Sequence, residues 1–392
     1  MEKILIINGG SSSLKFELLN KNTKESLANG AAKRIFVDGL FIIKVFGKKY
    51  ELNVPLNSHS DAIEILLQQL KEHKLITDLN EIKGIGHRIV QGGEVFLKSC
   101  LIDKQVLKQI RELGDMAPLH NPGEANIIEA FMKKVPNTIN VAVFDTSFHA
   151  TMPKLAYTYA VPEEWYTKYK VRRYGAHGTS HKYIARRMEK ELNKKPNIIS
   201  CHLGNGASIC AIKNGESINV SMGLTPLAGL IMGTRSGDLD PSITEYIVKK
   251  TGMTIQEVTH KLNNESGLKA LSGISSDFRD IRKEAEAGNE KAKFTIDIFA
   301  ARVATYVVNY ANQINDKIDG IVFTAGIGEN SPEIREAIIK AIPLLNLEIS
   351  NTNNKKSYDD LLKISSNNSK IDLYAIRTDE ESIIIEDLLS FM

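Results

Sequence analysis

The chain of 392 residues carries 50 Lys and Arg against 47 Asp and Glu, a formal net charge of +3, with 42% hydrophobic and 25% charged residues. That balance excludes a disordered or fibrous chain and lacks the dense basic charge with which nucleic-acid binders grip a phosphate backbone. The length suits two domains, each able to bury a core.

At the N-terminus, Met1-Glu2-Lys3 is followed by the short apolar run 4–7 and then Asn8-Gly9-Gly10. The run is too short for a signal peptide and long enough for a buried strand. No later run approaches the ~18 apolar residues of a membrane span, so no membrane partner is expected. Cys100, Cys201 and Cys210 are odd in number and lack CxxC spacing. Neither a disulfide framework nor a structural zinc site is expected, and the cytoplasm is the default compartment.

Along the chain, strand-like and helix-like segments alternate. Apolar runs at 4–7, 139–144, 198–201, 207–212 and 320–324 read as buried strands. Segments 61–70, 126–133, 180–192, 242–250, 292–313, 331–342 and 380–389 read as helices. The alternation predicts α/β architecture. Residues 4–16 run strand, small-residue turn (Asn8 to Ser13), strand, and 198–212 repeat this around Gly204-Asn205-Gly206-Ala207-Ser208. The echo predicts a duplicated domain with a cleft between the copies. The boundary is expected at 146–152, before Pro153 and Pro162 interrupt regular structure. The Asn-, Ser- and Lys-rich stretch 346–370 is expected to be surface loop with a short helix over 358–362.

Hairpins of Gly and Ser leave backbone N–H groups accessible and set hydroxyls such as those of Ser11 and Ser13 beside an approaching phosphate, with Lys15 adding charge. A third glycine turn, Ala325-Gly326-Ile327-Gly328-Glu329-Asn330, leads into the helix expected from Ser331-Pro332, whose N-terminus suits an anion. Three such turns favour a nucleotide, although each alone is also an ordinary tight turn. There is no GxxxxGK[ST], and Gly84-x-Gly86, Gly204-x-Gly206 and Gly326-x-Gly328 all lack the third glycine of GxGxxG. Neither a P-loop enzyme nor a Rossmann dehydrogenase is supported. Histidines at 177 and 181 have a zinc-compatible spacing but no HExxH or Cys partner. Arg88 and Arg235 lie near glycines, where solvation or a surface ion pair is the plain alternative to chemistry. Asp145, ending an apolar run, could simply cap the next turn.

The run Asn8-Gly9-Gly10-Ser11-Ser12-Ser13-Leu14-Lys15-Phe16 resembles the N-terminal signature of the acetate kinases, the acetokinase family, and Gly175-Ala176-His177-Gly178-Thr179-Ser180-His181 is similar to its second signature. The likeness continues in family order through Gly86-His87-Arg88, Ala117-Pro118-Leu119-His120-Asn121-Pro122, Phe144-Asp145-Thr146, His202 to Gly206, Met232 to Asp238, Asp277-Phe278-Arg279 and Gly326 to Asn330.

This resemblance implies two related actin-like, ribonuclease-H-like α/β domains with substrates in the interdomain cleft. The domains would be 1–147 with 378–392, and 148–377. It implies a cytoplasmic homodimer that transfers phosphoryl in line between ATP and acetate, giving ADP and acetyl phosphate with Mg²⁺ or Mn²⁺. By resemblance the catalytic set is Arg88, Asp145, His177 and Arg235. The arginines hold carboxylate and phosphoryl, and His177 donates a hydrogen bond to the phosphoryl. Acetate has no proton to lose near neutral pH, so Asp145 is expected to act through the metal or by orienting Arg88. Asn8 and Glu380 match metal positions. Lys15, His202, Leu203, Gly204, Asn205, Gly206, Asp277, Phe278, Arg279, Gly326, Ile327, Gly328, Glu329 and Asn330 match nucleotide-contacting segments. Arg88, Val90, Leu119, Ala176 and Pro226 match the substrate pocket. The family usually has Phe at the position of Ala176, so a wider pocket and a propionate or other short-chain carboxylate kinase is the alternative. Gln91, Asn219, Val220 and Ala228 also depart from the family pattern, at positions with no assigned catalytic role.

Overall fold

In the computed structural model, which describes residues 1–118 and 120–392, the first strand, β1 (Lys3–Gly10), divides its side chains by parity. Leu5 and Ile7 pack with Leu66 and Ile127 from the helices His59–Glu72 and Asn121–Lys134. Ile4 and Ile6 pack with Ile384 and Leu388 from the helix Glu380–Leu389. Successive side chains of a strand point to opposite faces, so a strand covered on both sides must be apolar throughout.

The chain forms two units, Met1–Phe148 with Asp379–Met392, and His149–Thr378. In the first, β1 is followed by β2 (Ser13–Asn20), β3 (Ser26–Lys33), β4 (Leu40–Val45), β5 (Lys48–Asn53), β6 (Ile82–Ile89), β7 (Cys100–Leu101) and β8 (Ile139–Phe144). They lie in the order β5-β4-β3-β2-β1-β6-β8-β7, antiparallel from β5 to β1 and parallel from β1 through β6 to β8. Gly84 and Gly86 of β6 face the helix Glu380–Leu389, and a Cβ at either would press on Leu388 and Met392 or on Ile384. This pair serves close helix–sheet packing.

The second unit holds β9 (Ile198–Leu203), β10 (Ala207–Lys213), β11 (Glu216–Val220), β12 (Gly320–Thr324), β13 (Leu361–Lys363) and β14 (Leu373–Ile376). Their order is β11-β10-β9-β12-β14-β13, with β9, β12 and β14 parallel and β11-β10-β9 antiparallel. Five strands therefore repeat one pattern: β3-β2-β1-β6-β8 in the first unit and β11-β10-β9-β12-β14 in the second. Ile199, Cys201 and Leu203 of β9 pack with Phe299, Val303 and Val307 of the 25-residue helix Glu290–Ile314. The opposite face, Ser200 and His202, meets the helix Gly178–Leu192 through His181 and Ser180.

Three expectations need correction. Asn8, Gly9, Gly10 and Ser13 belong to strands, with Asn8 opposite Lys15, so the first hairpin turns on Ser11 and Ser12 alone. Residues Ala325–Asn330 are a short helix rather than a glycine turn: Ala325 enters it at φ 64°, and Glu329 Oε1 accepts from the Ala325 N–H at 2.8 Å. Residues Leu361–Lys363 form a strand against β14, and the short helix lies at Asn351–Asn354, where the Ser350 hydroxyl accepts from the Asn353 N–H. Leu361 and Leu362 are half-buried there, a burden the polar composition around them conceals.

Candidate active site

The parallel strands of the first unit put three polar side chains at their carboxyl ends, where open α/β sheets hold ligands. Asn8 on β1 is opposite Arg88 on β6, and Asp145 directly follows β8. Arg88 bonds Asp145 at two points, Nε to Oδ1 at 3.0 Å and a terminal nitrogen to Oδ2 at 2.6 Å. Its other terminal nitrogen donates to Asn8 Oδ1 at 3.3 Å, and the Glu380 carboxylate lies 3.8 Å from Nε. Burial opposes the guanidinium charge, but Asp145 and Glu380 outweigh it and raise the Arg88 pKa above its ordinary value. Lys15 is exposed beside Asn8, and with Asn8, Arg88 and Glu380 it lines a cavity of about 600 Å³. Ser11 is exposed at the hairpin turn and Ser13 is half-buried at the start of β2.

A neighbour that the sequence did not single out is Glu124, in the first turn of Asn121–Lys134. It is 3% exposed, and its Oε2 accepts from the Val90 N–H at 3.2 Å. Burial pushes its carboxyl up to about 8, against the Val90 N–H and the Arg88 charge. Nothing in the sequence separates it from the acidic residues that decorate ordinary helix starts.

In the second unit His177 caps the helix Gly178–Leu192 in the left-handed region, φ 56°, a strained position for a residue with a side chain. Its ring stacks on that of His202, 4.2 Å between centroids, and its Nδ1 meets the Ser208 hydroxyl at 3.0 Å. His202 Nδ1 meets the Ser180 hydroxyl at 2.8 Å. Gly206 joins two of the expected residues, since a Cβ there would lie 3.3 Å from His177 Nε2 and 4.0 Å from an Arg235 terminal nitrogen. Arg235 itself is half-buried, held by the Pro226 carbonyl at 3.4 Å and the Met232 sulfur at 3.8 Å. It has no carboxylate partner among the described residues, and burial lowers its pKa.

The glycine-rich segments gather on the same unit. The Gly233 N–H donates to the Asn205 carbonyl at 2.9 Å, and a Cβ at Gly233 would collide with the Asn205 side chain and the Ser276 carbonyl. Gly204 lies against Ala325, while among the described residues no atom outside the local helix backbone and the adjoining residues stands within 4 Å of where a Gly326 Cβ would sit. Asp277 caps the helix Phe278–Glu286 and pairs with the exposed Arg279 at 2.5 Å. Leu203, Phe278 and Ile327 are core side chains, so only their backbone is available to a ligand. Glu329 is occupied by the Ala325 and Thr378 N–H groups, and the Asn330 side-chain amide donates to the Gly326 carbonyl. Of the expected acyl-pocket residues, Val90 is half-buried in the first unit and Ala176 and Pro226 belong to the second. Leu119 lies outside the described residues. Ala176 is buried, and its carbonyl accepts from His149 Nε2 at 3.0 Å.

The strand order repeated in both units is that of the actin-like ATPase fold. The model of the acetokinase family matches residues 3–386. An acetate kinase from Mycoplasmoides gallisepticum is 49% identical over 391 residues, 99% of each chain. Among solved structures, a propionate kinase from Francisella tularensis superposes with a TM-score of 0.94 at 42% identity, covering 100% of both chains. An acetate kinase from Porphyromonas gingivalis superposes at 0.93 and 37% identity, covering 100% of this chain and 99% of that one. The chain belongs to the acetokinase family.

Proposed function

We propose that this chain is an acetate kinase, transferring a phosphoryl group reversibly and in line between ATP and acetate to give ADP and acetyl phosphate. The observation that carries this reading is Arg235, a half-buried guanidinium beside His177 and Gly206 with no carboxylate partner among the described residues. An uncompensated buried cation is costly, and an anionic ligand relieves it. The acceptor carboxylate is already ionised, so catalysis reduces to positioning and to neutralising charge on the moving phosphoryl. Arg88, held flat by Asp145 and Asn8, has the planar fork that binds a carboxylate at two points. His177 and Arg235 bind the phosphoryl oxygens. The glycine faces at Gly204 to Gly206, Gly233 and Gly326, with Lys15 and the Asp277 to Arg279 turn, receive the nucleotide.

Asn8 and Glu380 supply an amide oxygen and a carboxylate, the hard donors Mg²⁺ or Mn²⁺ prefers, and such an ion needs only one or two protein ligands beside waters and phosphates. When bound, the ion neutralises charge on the nucleotide phosphates. The reading also makes the protein a cytoplasmic homodimer. Three free cysteines support the compartment, and the assembly follows the family alone.

The test is a hydroxylamine trap for acyl phosphate, run with ATP, Mg²⁺ and acetate, propionate or butyrate. Acetohydroxamate from acetate is expected, and none from any acid overturns the reading. The propionate kinase alternative is favoured by the small Ala176 alone. A kcat/KM for propionate above that for acetate would establish it.

A further inference from the structure

Behind His177 a chain of hydrogen bonds runs into the core of the second unit. His177 Nδ1 meets Ser208 Oγ at 3.0 Å, and the same hydroxyl meets His181 Nε2 at 2.8 Å. His181 Nδ1 meets Ser200 Oγ at 2.9 Å. Ser200, Ser208 and His181 are all fully buried. The strands and helix fix this arrangement: Ser200 is on β9, Ser208 on β10, and His181 sits four residues after His177 on the helix that His177 caps. Burial, aided by the neighbouring His149 and His202 rings, holds the His181 pKa well below the ordinary histidine range, so its ring is neutral.

A hydroxyl has one hydrogen. Ser208 can donate to only one of the two facing nitrogens, so whenever one is bare and takes that hydrogen the other must be an N–H, and the tautomers of the two histidines are coupled. Phosphoryl oxygens only accept. A neutral His177 that donates to one from Nε2 must have a bare Nδ1, which accepts from the Ser208 O–H. Ser208 then accepts from His181 Nε2–H, and the bare His181 Nδ1 accepts from Ser200. We propose that Ser208 and His181 are positioning residues that fix the tautomer of His177, so that its Nε2 carries the hydrogen presented to the phosphoryl group. This rests on the phosphoryl-transfer reading above. The zinc-compatible spacing of the two histidines thereby acquires a different use, the second orienting the first through a serine.

Long-range proton–nitrogen spectra of histidine-labelled protein read each ring's tautomer directly, without turnover and without a variant. Nε2–H on both His177 and His181 is expected, and Nδ1–H on His181 overturns the proposal. In Ser208→Ala, His177 is expected to become a tautomer mixture, with kcat falling about 10- to 100-fold and both KM values within about 2-fold. Ser208→Thr, which keeps the hydroxyl, should restore the wild-type His177 signal and most of kcat. An unchanged His177 signal in Ser208→Ala, or an unchanged kcat, overturns the proposal. Failure of the wild type to form acyl phosphate would sink the functional reading, while the spectra still decide the tautomers.

Discussion

Arg88 and Asp145 meet in a two-point ion pair of 3.0 and 2.6 Å, with the Asp145 carboxylate buried. The geometry gives Asp145 a task that needs no proton transfer: it fixes the plane of the guanidinium, whose remaining terminal nitrogen reaches Asn8. A base in this position would have no proton to take from acetate. Asp145→Asn should therefore lower kcat/KM for acetate by about 100-fold while leaving the shape of its pH profile unchanged. If the two residues act as one unit, the double variant Arg88→Ala, Asp145→Ala should be scarcely worse than Arg88→Ala alone. Losses that multiply would refute the coupling.

Arg235 presents the opposite case. Among the described residues its side chain donates only to a carbonyl and a thioether, both long, so removing it should cost little stability. Arg235→Ala is expected to keep the thermal midpoint close to wild type while kcat falls about 10³-fold, on the scale of arginine fingers. Arg235→Lys should recover little, because a point charge cannot reproduce the fork. A collapse of Tm in parallel with activity would mean that the residue is structural.

Much of this was legible in the chain, for identifiable reasons. The strands 139–144 and 320–324 are short, mostly apolar runs, and the helix 380–389 carries apolar residues at helical spacing behind an acidic first turn, so their observed limits coincide with the pattern. The start of β2 is legible as the second arm of the hairpin over 4–16, but β3 to β5 are not, because Ser26–Asn53 mixes Lys, Asn, Gly and short apolar pairs into no sustained alternation; those strands are defined by their neighbours in the sheet. Arg88, Asp145, His177 and Arg235 stood out through their motifs. Glu124 and the serines at 180, 200 and 208 did not, since their importance comes from burial and from hydrogen-bond partners on other segments. Glu329 stands in a motif, and its side chain accepts from the Ala325 and Thr378 N–H groups, a local task the motif does not announce.

The helix carrying that motif depends on Arg335. This guanidinium is 1% exposed and donates to the carbonyls of Gly328 at 2.7 Å and Glu329 at 3.0 Å, and to the side chain and carbonyl of Asn354 at 2.7 Å each. It ties the end of Ala325–Asn330 to the Asn351–Asn354 turn, with no carboxylate partner among the described residues. Arg335→Met would fill similar volume but leave those oxygens without donors, at a cost of about 2–4 kcal/mol. Chemical denaturation should show that loss, and Arg335→Lys should repair only part of it. A midpoint unchanged in Arg335→Met would show that the four bonds contribute nothing net.

Glu124 makes stability depend on pH. Its carboxyl titrates near 8 in the folded chain against an ordinary value of 4.5, because burial disfavours the anion more than the Val90 N–H and Arg88 favour it. Below about pH 4.5 the group is protonated in both states and adds nothing to the balance. Between there and about pH 8 the unfolded chain is ionised while the folded chain holds its proton. Folding then takes up a proton, and stability falls as pH rises. Above pH 8 the penalty is complete, with the buried carboxylate also repelled by the Asp145 charge. Glu124→Gln cannot ionise and escapes this term. Its Tm, measured against wild type, should therefore gain steadily from about pH 5 to pH 8 and level off beyond. A difference that stays constant across that range would show that Glu124 is ionised in the folded protein throughout, held by Arg88 rather than starved of water.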